Sequence, residues 1–173
     1  VCIDGTKMPV QFFALPEHAE KARKFLPQFL DHVRVFEAIL GPYPFRAEEY
    51  GIAETPHLGM EHQTIIAYGN GFQNETYDWL HNHELAHEWW GNLVTSPSYQ
   101  EDWLQESLAN YSALLYLEKK KGPKAVDAVL ESYREHLLAK DEDGSMIDAA
   151  GPISLGTRLR SSKTREAWRV ITY

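Results

Sequence analysis

The sequence predicts an α+β fold in which a small strand-rich region precedes a mostly helical one. Three observations support this prediction: strand-like runs lie before residue 70, apolar residues recur at three-and-four spacing between residues 17 and 40, and helical patterns dominate after residue 74. With 43% apolar residues among 173, the chain can bury the core of one ordinary domain. We therefore expect residues 1–173 to form a single domain.

The strand-rich region is predicted from two stretches of the chain. Residues 9–15 form an apolar and aromatic run that suits a short strand, and residues 46–69 hold further strands, among them the β-rich run 64–68. Between the two stretches Pro16 opens a long helix, and the Gly-Pro-Tyr-Pro sequence at 41–44 ends it.

The helical part is predicted as three helices, at about 75–91, 102–120 and 123–140. Three lysines and then Gly122 separate the last two, because cations stabilise the negative end of a helix and glycine readily adopts the left-handed conformation that terminates one. Residues 141–165 are rich in Gly, Ser, Asp and Pro, so they are predicted to be a loop.

The charge and the cysteine count argue against several classes of function. Asp and Glu number 25 against 17 Lys and Arg, which gives a net charge of −8. An acidic surface repels a phosphate backbone, so we expect no nucleic-acid partner, but it suits a peptide with a free amino terminus. No apolar run is long enough to span a membrane. The single cysteine, Cys2, excludes an internal disulfide and a cysteine-rich metal site.

The most informative stretch is an H-E-x-x-H motif at residues 83–87. Residues four apart on a helix lie about 40° apart around its axis, so His83 and His87 can reach one metal ion. Glu84 projects about 100° away from His83, near the ion but free to take a proton from water. Two neutral nitrogen ligands and a free carboxylate are what metal-assisted hydrolysis requires. His81 points to the far side of this helix and is excluded from the site.

A catalytic zinc usually takes a third protein ligand, and Glu106 is the candidate. Eighteen residues (88–105) separate it from His87, and they include a helix end and a turn, so a second helix can return to the first. Small residues on the same face of that second helix as Glu106 would allow the two helices to approach closely.

Residues 83–92, followed by Trp-Leu-Gln-Glu-Ser at 103–107, resemble the zinc aminopeptidases of the M1 (gluzincin) family. The signature of that family is H-E-x-x-H, eighteen residues, and then a glutamate within W-L-x-E. The resemblance runs from about Tyr43 to the end of the chain. It implies one Zn²⁺ ion as cofactor, held by three ligands: His83, His87 and Glu106.

Two further parts of the site are implied by the resemblance alone. The family carries a G-x-M-E-N motif upstream of the zinc motif, and residues 58–62 stand in its place, with His62 where the family has Asn. This implies that Glu61 binds the α-amino group of the substrate, with Gly59 and Met60 beside it. Tyr173 stands where the family has the tyrosine of a Tyr-x-Lys-Gly sequence, which implies a catalytic role in stabilising the oxyanion.

The resemblance also implies a thermolysin-like catalytic domain. Family members carry a β-rich domain before this region and a helical domain after it. We therefore expect residues 1–173 to be a piece of a longer multidomain chain, and a weak or inactive catalyst by themselves.

The predicted function is zinc-dependent hydrolysis of the N-terminal peptide bond of peptides, with Glu84 as general base. One alternative is another zinc hydrolase on the same scaffold, either an endopeptidase or an epoxide hydrolase. A second is a non-catalytic peptide-binding module. Glu61 argues against a pure endopeptidase, and Glu84 argues against a structural zinc site, which would close all four ligand positions.

Overall fold

The structure, a computed structural model, describes residues 5, 7–98 and 101–140. The chain divides into two units, with the boundary between Thr95 and Ser96. The predicted loop at 141–165 and Tyr173 lie outside the described residues. In the described part of the chain, no helix combines the length and the apolar character needed to cross a membrane.

The first unit contains a four-stranded sheet with the order β1-β2-β4-β3. Its strands are β1 (Val10–Phe13), β2 (Tyr50–Glu54), β3 (Gly59–Met60) and β4 (Ile65–Tyr68). β1, β2 and β4 run parallel, whereas β3 pairs antiparallel with β4 at the edge of the sheet. The prediction of a small sheet before a helical part is thereby confirmed.

Helix α1 (Ala19–Leu40) follows a short 3-10 turn at Pro16–His18 and connects β1 to the parallel strand β2. A parallel pair needs such a long crossover, because its second strand must begin again at the same end of the sheet. The stripe of α1 that the apolar spacing predicted is buried: Ala22, Phe25, Phe29, Val33 and Phe36. The helix ends at Gly41, whose φ of 97° lies in the left-handed region that favours glycine.

Helix α2 (Trp79–Ala86) is shorter than the predicted helix at 75–91. Its beginning is delayed because the side-chain oxygen of Asn74 accepts hydrogen bonds from the backbone N–H groups of Thr76 and Tyr77, which folds that segment into a turn. Its end is early because the N–H groups of Glu88 and Trp89 donate to carbonyls three residues back, those of Leu85 and Ala86, in place of the four-residue α-helical pattern.

A chain of buried polar groups holds α2 against α1 and β2. The ring of His81 stacks on Phe29 with 3.9 Å between centroids, and its Nδ1 lies 2.8 Å from Nδ1 of His32. Nε2 of His81 lies 2.8 Å from the hydroxyl of Tyr50. Burial, and secondly the neighbouring His32, lower the pKa of His81, so this imidazole is neutral. Both of its nitrogens are engaged in the core, away from the predicted metal ligands.

Asp78 caps the N-terminus of α2 from a fully buried position. One of its carboxylate oxygens accepts the backbone N–H of His81 at 2.9 Å, and the other accepts the hydroxyl of Tyr68 at 2.5 Å. Burial raises the pKa of Asp78, and these hydrogen bonds oppose the shift. This side chain therefore stabilises the start of the helix that carries the H-E-x-x-H motif.

Replacing Asp78 with alanine is expected to lower the free energy of unfolding by roughly 2–4 kcal/mol. The loss combines about 1 kcal/mol for the helix cap with about 1–3 kcal/mol for the buried hydroxyl of Tyr68, which loses its acceptor. Urea unfolding of the full-length protein, compared with wild type, measures the change. Asp78→Asn keeps an acceptor oxygen and serves as the control with the smaller loss; equal stability of the alanine variant and wild type would contradict the assignment.

The second unit contains helices α3 (Asp102–Lys121) and α4 (Pro123–Leu138), which pack on each other. Gly122 separates them with a φ of 83°, and its N–H donates to the carbonyl of Glu118 at 2.7 Å. Three lysines occupy the last turn of α3, as the sequence predicted for its C-terminal end.

Candidate metal centre

His83 and His87 form a pair of nitrogen donors on the first unit. His83 lies in the last turn of α2 and His87 caps its C-terminus, and both side chains are buried. Their Nε2 atoms lie 3.2 Å apart, with the two ring planes perpendicular. Two nitrogens bound to one tetrahedral zinc at 2.0–2.1 Å would lie about 3.3–3.4 Å apart. The spacing of the two nitrogens therefore fits a shared zinc ion.

The protonation of His87 also fits a metal ligand. Its Nδ1 lies 2.8 Å from the carbonyl oxygen of Trp90, which can only accept a hydrogen bond. A neutral imidazole that donates from Nδ1 leaves the lone pair of Nε2 free to face an ion. The ring of His83 is stacked against Trp79, one turn earlier on α2, with 5.3 Å between centroids. Both ring orientations are thus set by neighbouring groups.

Glu84 places its carboxylate beside these nitrogens. Ligand atoms of Glu84, His83 and His87 all lie within 4.8 Å of one another, and all three side chains are buried. The carboxylate lies against the edge strand β3, where Gly59 leaves room for it: a Cβ on Gly59 would lie 2.8 Å from Cδ of Glu84. The same Cβ would lie 2.8 Å from Cδ1 of Leu80. Gly59 is therefore required by space rather than by backbone conformation.

Replacing Gly59 with alanine is expected to displace the carboxylate of Glu84. If Glu84 is the predicted general base, turnover should fall by about 10- to 100-fold, because a shift of about 1 Å in a catalytic group has that cost. The zinc content should stay at the wild-type level, since no metal-ligating residue is touched. Steady-state kinetics with metal analysis measures both quantities. Gln63→Ala, at an exposed residue shortly after β3, is the control for a substitution near the site; unchanged turnover in Gly59→Ala would contradict the crowding argument.

Glu61 follows β3 and is half-buried. A carboxylate oxygen of Glu61 lies within 4.8 Å of a ring nitrogen of His87, so the structure brings this predicted residue to a candidate metal ligand of the first unit. Met60, the last residue of β3, is 45% exposed beside it. His62, which stands where the resembled family has Asn, is exposed.

Glu88 is a buried carboxyl group that sequence reasoning did not single out. It receives the backbone N–H of Thr64 at 3.0 and 3.3 Å on its two oxygens. Burial raises the pKa of Glu88 to about 7, while hydrogen bonds from Thr64, Tyr43 and Asn92 oppose that shift. The available sequence signal was its position directly after the H-E-x-x-H motif. Its partner lies 24 residues away, which no local pattern indicates.

The roles of two further site residues are still predictions. Glu106 is half-buried on α3, in the second unit, and its role as third ligand remains a prediction. Tyr173 falls outside the described residues, so its catalytic role remains a prediction as well.

Comparisons with known proteins agree on one family. Residues 51–173 match the model of the peptidase family M1 domain. Leucine aminopeptidase 2 of Vanderwaltozyma polyspora is 33% identical over 88 residues, which cover 46% of this chain and 13% of that protein. Human endoplasmic reticulum aminopeptidase 2 is 30% identical over 78 residues, or 45% of this chain and 8% of that protein.

The structure of this chain is also similar to solved structures. The crystal structure of an M1 zinc metallopeptidase from Deinococcus radiodurans matches with a TM-score of 0.53 and 29% identity, covering 72% of this chain and 25% of that one. A mutant of an M1 zinc metallopeptidase from the same organism, bound to a Tyr-Ser-Ala substrate, gives a TM-score of 0.53 and 28% identity. This chain therefore spans between 8% and 26% of the length of these relatives.

Proposed function

This chain belongs to the peptidase family M1, and on that premise we propose that it carries the zinc site of an aminopeptidase that hydrolyses the N-terminal peptide bond of peptides. The observation that carries the proposal is the pair of buried Nε2 atoms 3.2 Å apart, with the buried carboxylate of Glu84 beside them. The proposal extends to the architecture: residues 1–173 form one thermolysin-like catalytic domain, truncated from a longer multidomain chain.

The proposed ligands of one zinc ion are His83 and His87 on the first unit and Glu106 on α3. Neutral imidazoles and a carboxylate suit this metal, and three protein ligands leave a fourth position open for catalysis. When bound, zinc polarises the scissile carbonyl and lowers the pKa of water. The carbonyl of Trp90 holds the proton of His87 on Nδ1, which keeps Nε2 available as a ligand atom.

Glu84 is the proposed general base. Its carboxylate takes a proton from the attacking water and then delivers it to the nitrogen of the leaving amine, so that the peptide bond breaks without releasing an unstable amide anion. The carboxylate lies against Gly59, in space that a Cβ at this position would occupy. Burial strengthens its electrostatic interaction with the reacting groups, because the local dielectric constant is lower than that of water.

Glu61 is the proposed partner of the α-ammonium group of the substrate, with Gly59 and Met60 on the adjacent edge strand. A carboxylate that binds the terminal ammonium close to His87 limits the distance between the chain end and the reacting bond. Only the first peptide bond then reaches the metal, which makes the enzyme an exopeptidase. Tyr173 is proposed to stabilise the oxyanion, and residues 1–173 alone are proposed to be a weak or inactive catalyst.

The test of this function is the hydrolysis of leucyl-anilide and of N-acetyl-leucyl-anilide by the zinc-loaded full-length protein. Acetylation removes the positive charge that Glu61 would bind, so the free amine should be hydrolysed at least about 10-fold more efficiently. Equal hydrolysis of both substrates would indicate an endopeptidase. Hydrolysis of an epoxide but of neither anilide would indicate an epoxide hydrolase, and peptide binding without any turnover would indicate a binding module.

A further inference from the structure

The segment that carries Glu61 is a connection of four residues, 61–64, between β3 and β4. His62 and Gln63 in its middle are exposed, and Glu61 is only half-buried. Side-chain packing therefore contributes little to holding this segment in place. A carboxylate on such a segment can select a substrate charge at a defined distance only if the backbone beneath it is held by other means.

Asn92 provides the first constraint on this backbone. Its side-chain Nδ2 donates a hydrogen bond to the backbone carbonyl oxygen of Glu61 at 3.0 Å. Asn92 is itself fixed to the end of the zinc-binding helix, since its backbone N–H donates to the carbonyl of His87 at 2.9 Å. Two hydrogen bonds thus connect the backbone of Glu61 to the backbone of a proposed zinc ligand.

Glu88 provides the second constraint on this backbone, at the other end of the segment. Both of its buried carboxylate oxygens accept the backbone N–H of Thr64, at 3.0 and 3.3 Å. The carbonyl of Thr64 accepts the N–H of Gly51 on β2 at 2.6 Å, so both peptide groups that flank Thr64 are tied down. Glu88 directly follows His87, so its hydrogen bonds to Thr64 also connect the segment to a proposed zinc ligand.

These hydrogen bonds hold the backbone of Thr64 in an unfavourable conformation. Its φ of 65° lies in the left-handed region, where a β-branched residue is strained. Such strain persists only where the surroundings impose it, and it is concentrated at functional sites. Here the hydrogen bonds of Glu88 and Gly51 hold it, together with the turn in which the N–H of Ile65 donates to the carbonyl of His62 at 3.1 Å.

We infer that Asn92 and Glu88 are positioning residues, which clamp segment 61–64 onto the end of the zinc-binding helix and so set the position of the amine-binding carboxylate of Glu61 relative to the metal ligands. The inference rests on the proposed function, because it assumes that Glu61 binds the substrate ammonium. Neither residue touches the substrate; both act through the backbone on either side of Glu61. The consequence is that the preference for a free amine depends on them, whereas zinc binding does not.

A matched pair of probes separates positioning from general structural damage. Leucine hydroxamate and its des-amino analogue, 4-methylpentanoyl hydroxamate, both carry a zinc-chelating group and differ only in the α-amine. The ratio of their dissociation constants, measured by calorimetry on the full-length zinc-loaded protein, reports the amine preference by itself. Zinc stoichiometry is measured on the same samples.

Asn92→Ala removes the hydrogen bond to Glu61, and Glu88→Met removes the acceptor of Thr64 while keeping side-chain length. Because Asn92 and Tyr43 also hydrogen-bond Glu88, the zinc content and the des-amino affinity of each variant check for wider damage. Each variant should reduce the amine preference by about 10-fold or more, the size seen when a supporting hydrogen bond is lost, with zinc content and des-amino affinity near wild type. Glu88→Gln keeps an acceptor oxygen for Thr64 and should retain most of the preference. The exposed residue Gln63, in the same segment, provides the control Gln63→Ala, which should not change the ratio.

A double-mutant comparison completes the test. In a Glu61→Ala background, Asn92→Ala should change the ratio no further, because positioning matters only while the carboxylate is present. A large wild-type ratio that both single variants leave unchanged, or equal loss of affinity for the two probes, would overturn the clamp and leave the proposed function intact. A wild-type ratio near one with zinc bound would overturn both the clamp and the proposed function.

Discussion

Replacing Glu84 with glutamine is expected to reduce turnover by at least about 10²-fold while zinc remains bound. Glutamine keeps the size of the side chain, so it fits the space beside Gly59, but it cannot accept the proton of the attacking water. General acid–base catalysis by one positioned group contributes about 10²–10⁴-fold to a rate, which sets the size of the loss. The measurements are the rate constant for turnover of leucyl-anilide and the zinc content of the same sample.

The control for this substitution is Glu135→Gln, which makes the same chemical change at an exposed position on α4. It should leave turnover and zinc content at the wild-type level. Binding of leucine hydroxamate gives a second readout, because the Glu84 variant should still bind the metal and the substrate amine. Near-normal turnover of Glu84→Gln with zinc retained would remove Glu84 from its proposed role.

Replacing His87 with alanine is expected to lower zinc affinity by more than about 10²-fold. Loss of a hydrogen-bond partner behind a ligand costs about 10–100-fold, and loss of the ligand itself should cost more. The affinity can be measured by equilibration in zinc buffers set by a chelator. As a second readout, zinc should raise the melting temperature of wild type but not that of the variant. The reason is that a ligand that binds the native state stabilises it in proportion to the logarithm of the ligand concentration.

Two further variants refine the ligand set. His57→Ala replaces an exposed histidine that has no proposed ligand role, and its zinc affinity should equal that of wild type. Glu106→Gln keeps the shape of the proposed third ligand without its charge. Its zinc affinity should be lower than that of wild type, as expected for His87→Ala. Wild-type zinc affinity in Glu106→Gln would show that another group completes the site, while the two histidines could keep their roles.

The sequence alone predicted the elements whose evidence is local. Apolar residues at three-and-four spacing predicted the long helix α1, and its buried stripe lies where that spacing requires. The H-E-x-x-H motif predicted that two imidazoles meet, because residues four apart share a face of any helix. The bounds of α2 were predicted less well. The turn that Asn74 forms before α2 and the tighter hydrogen-bonded turn after Ala86 are decided by hydrogen bonds rather than by apolar spacing.

The sequence by itself thus determined which residues could meet a metal and, through the family resemblance, predicted the chemistry that is proposed for them. Only the tertiary structure decided what surrounds them. It placed the carboxylate of Glu84 against Gly59, and it tied Thr64 to Glu88 across 24 residues of chain. The physical reason is that spacing on a helix is fixed by backbone geometry within one turn, whereas burial and hydrogen-bond partners are fixed when distant segments pack together.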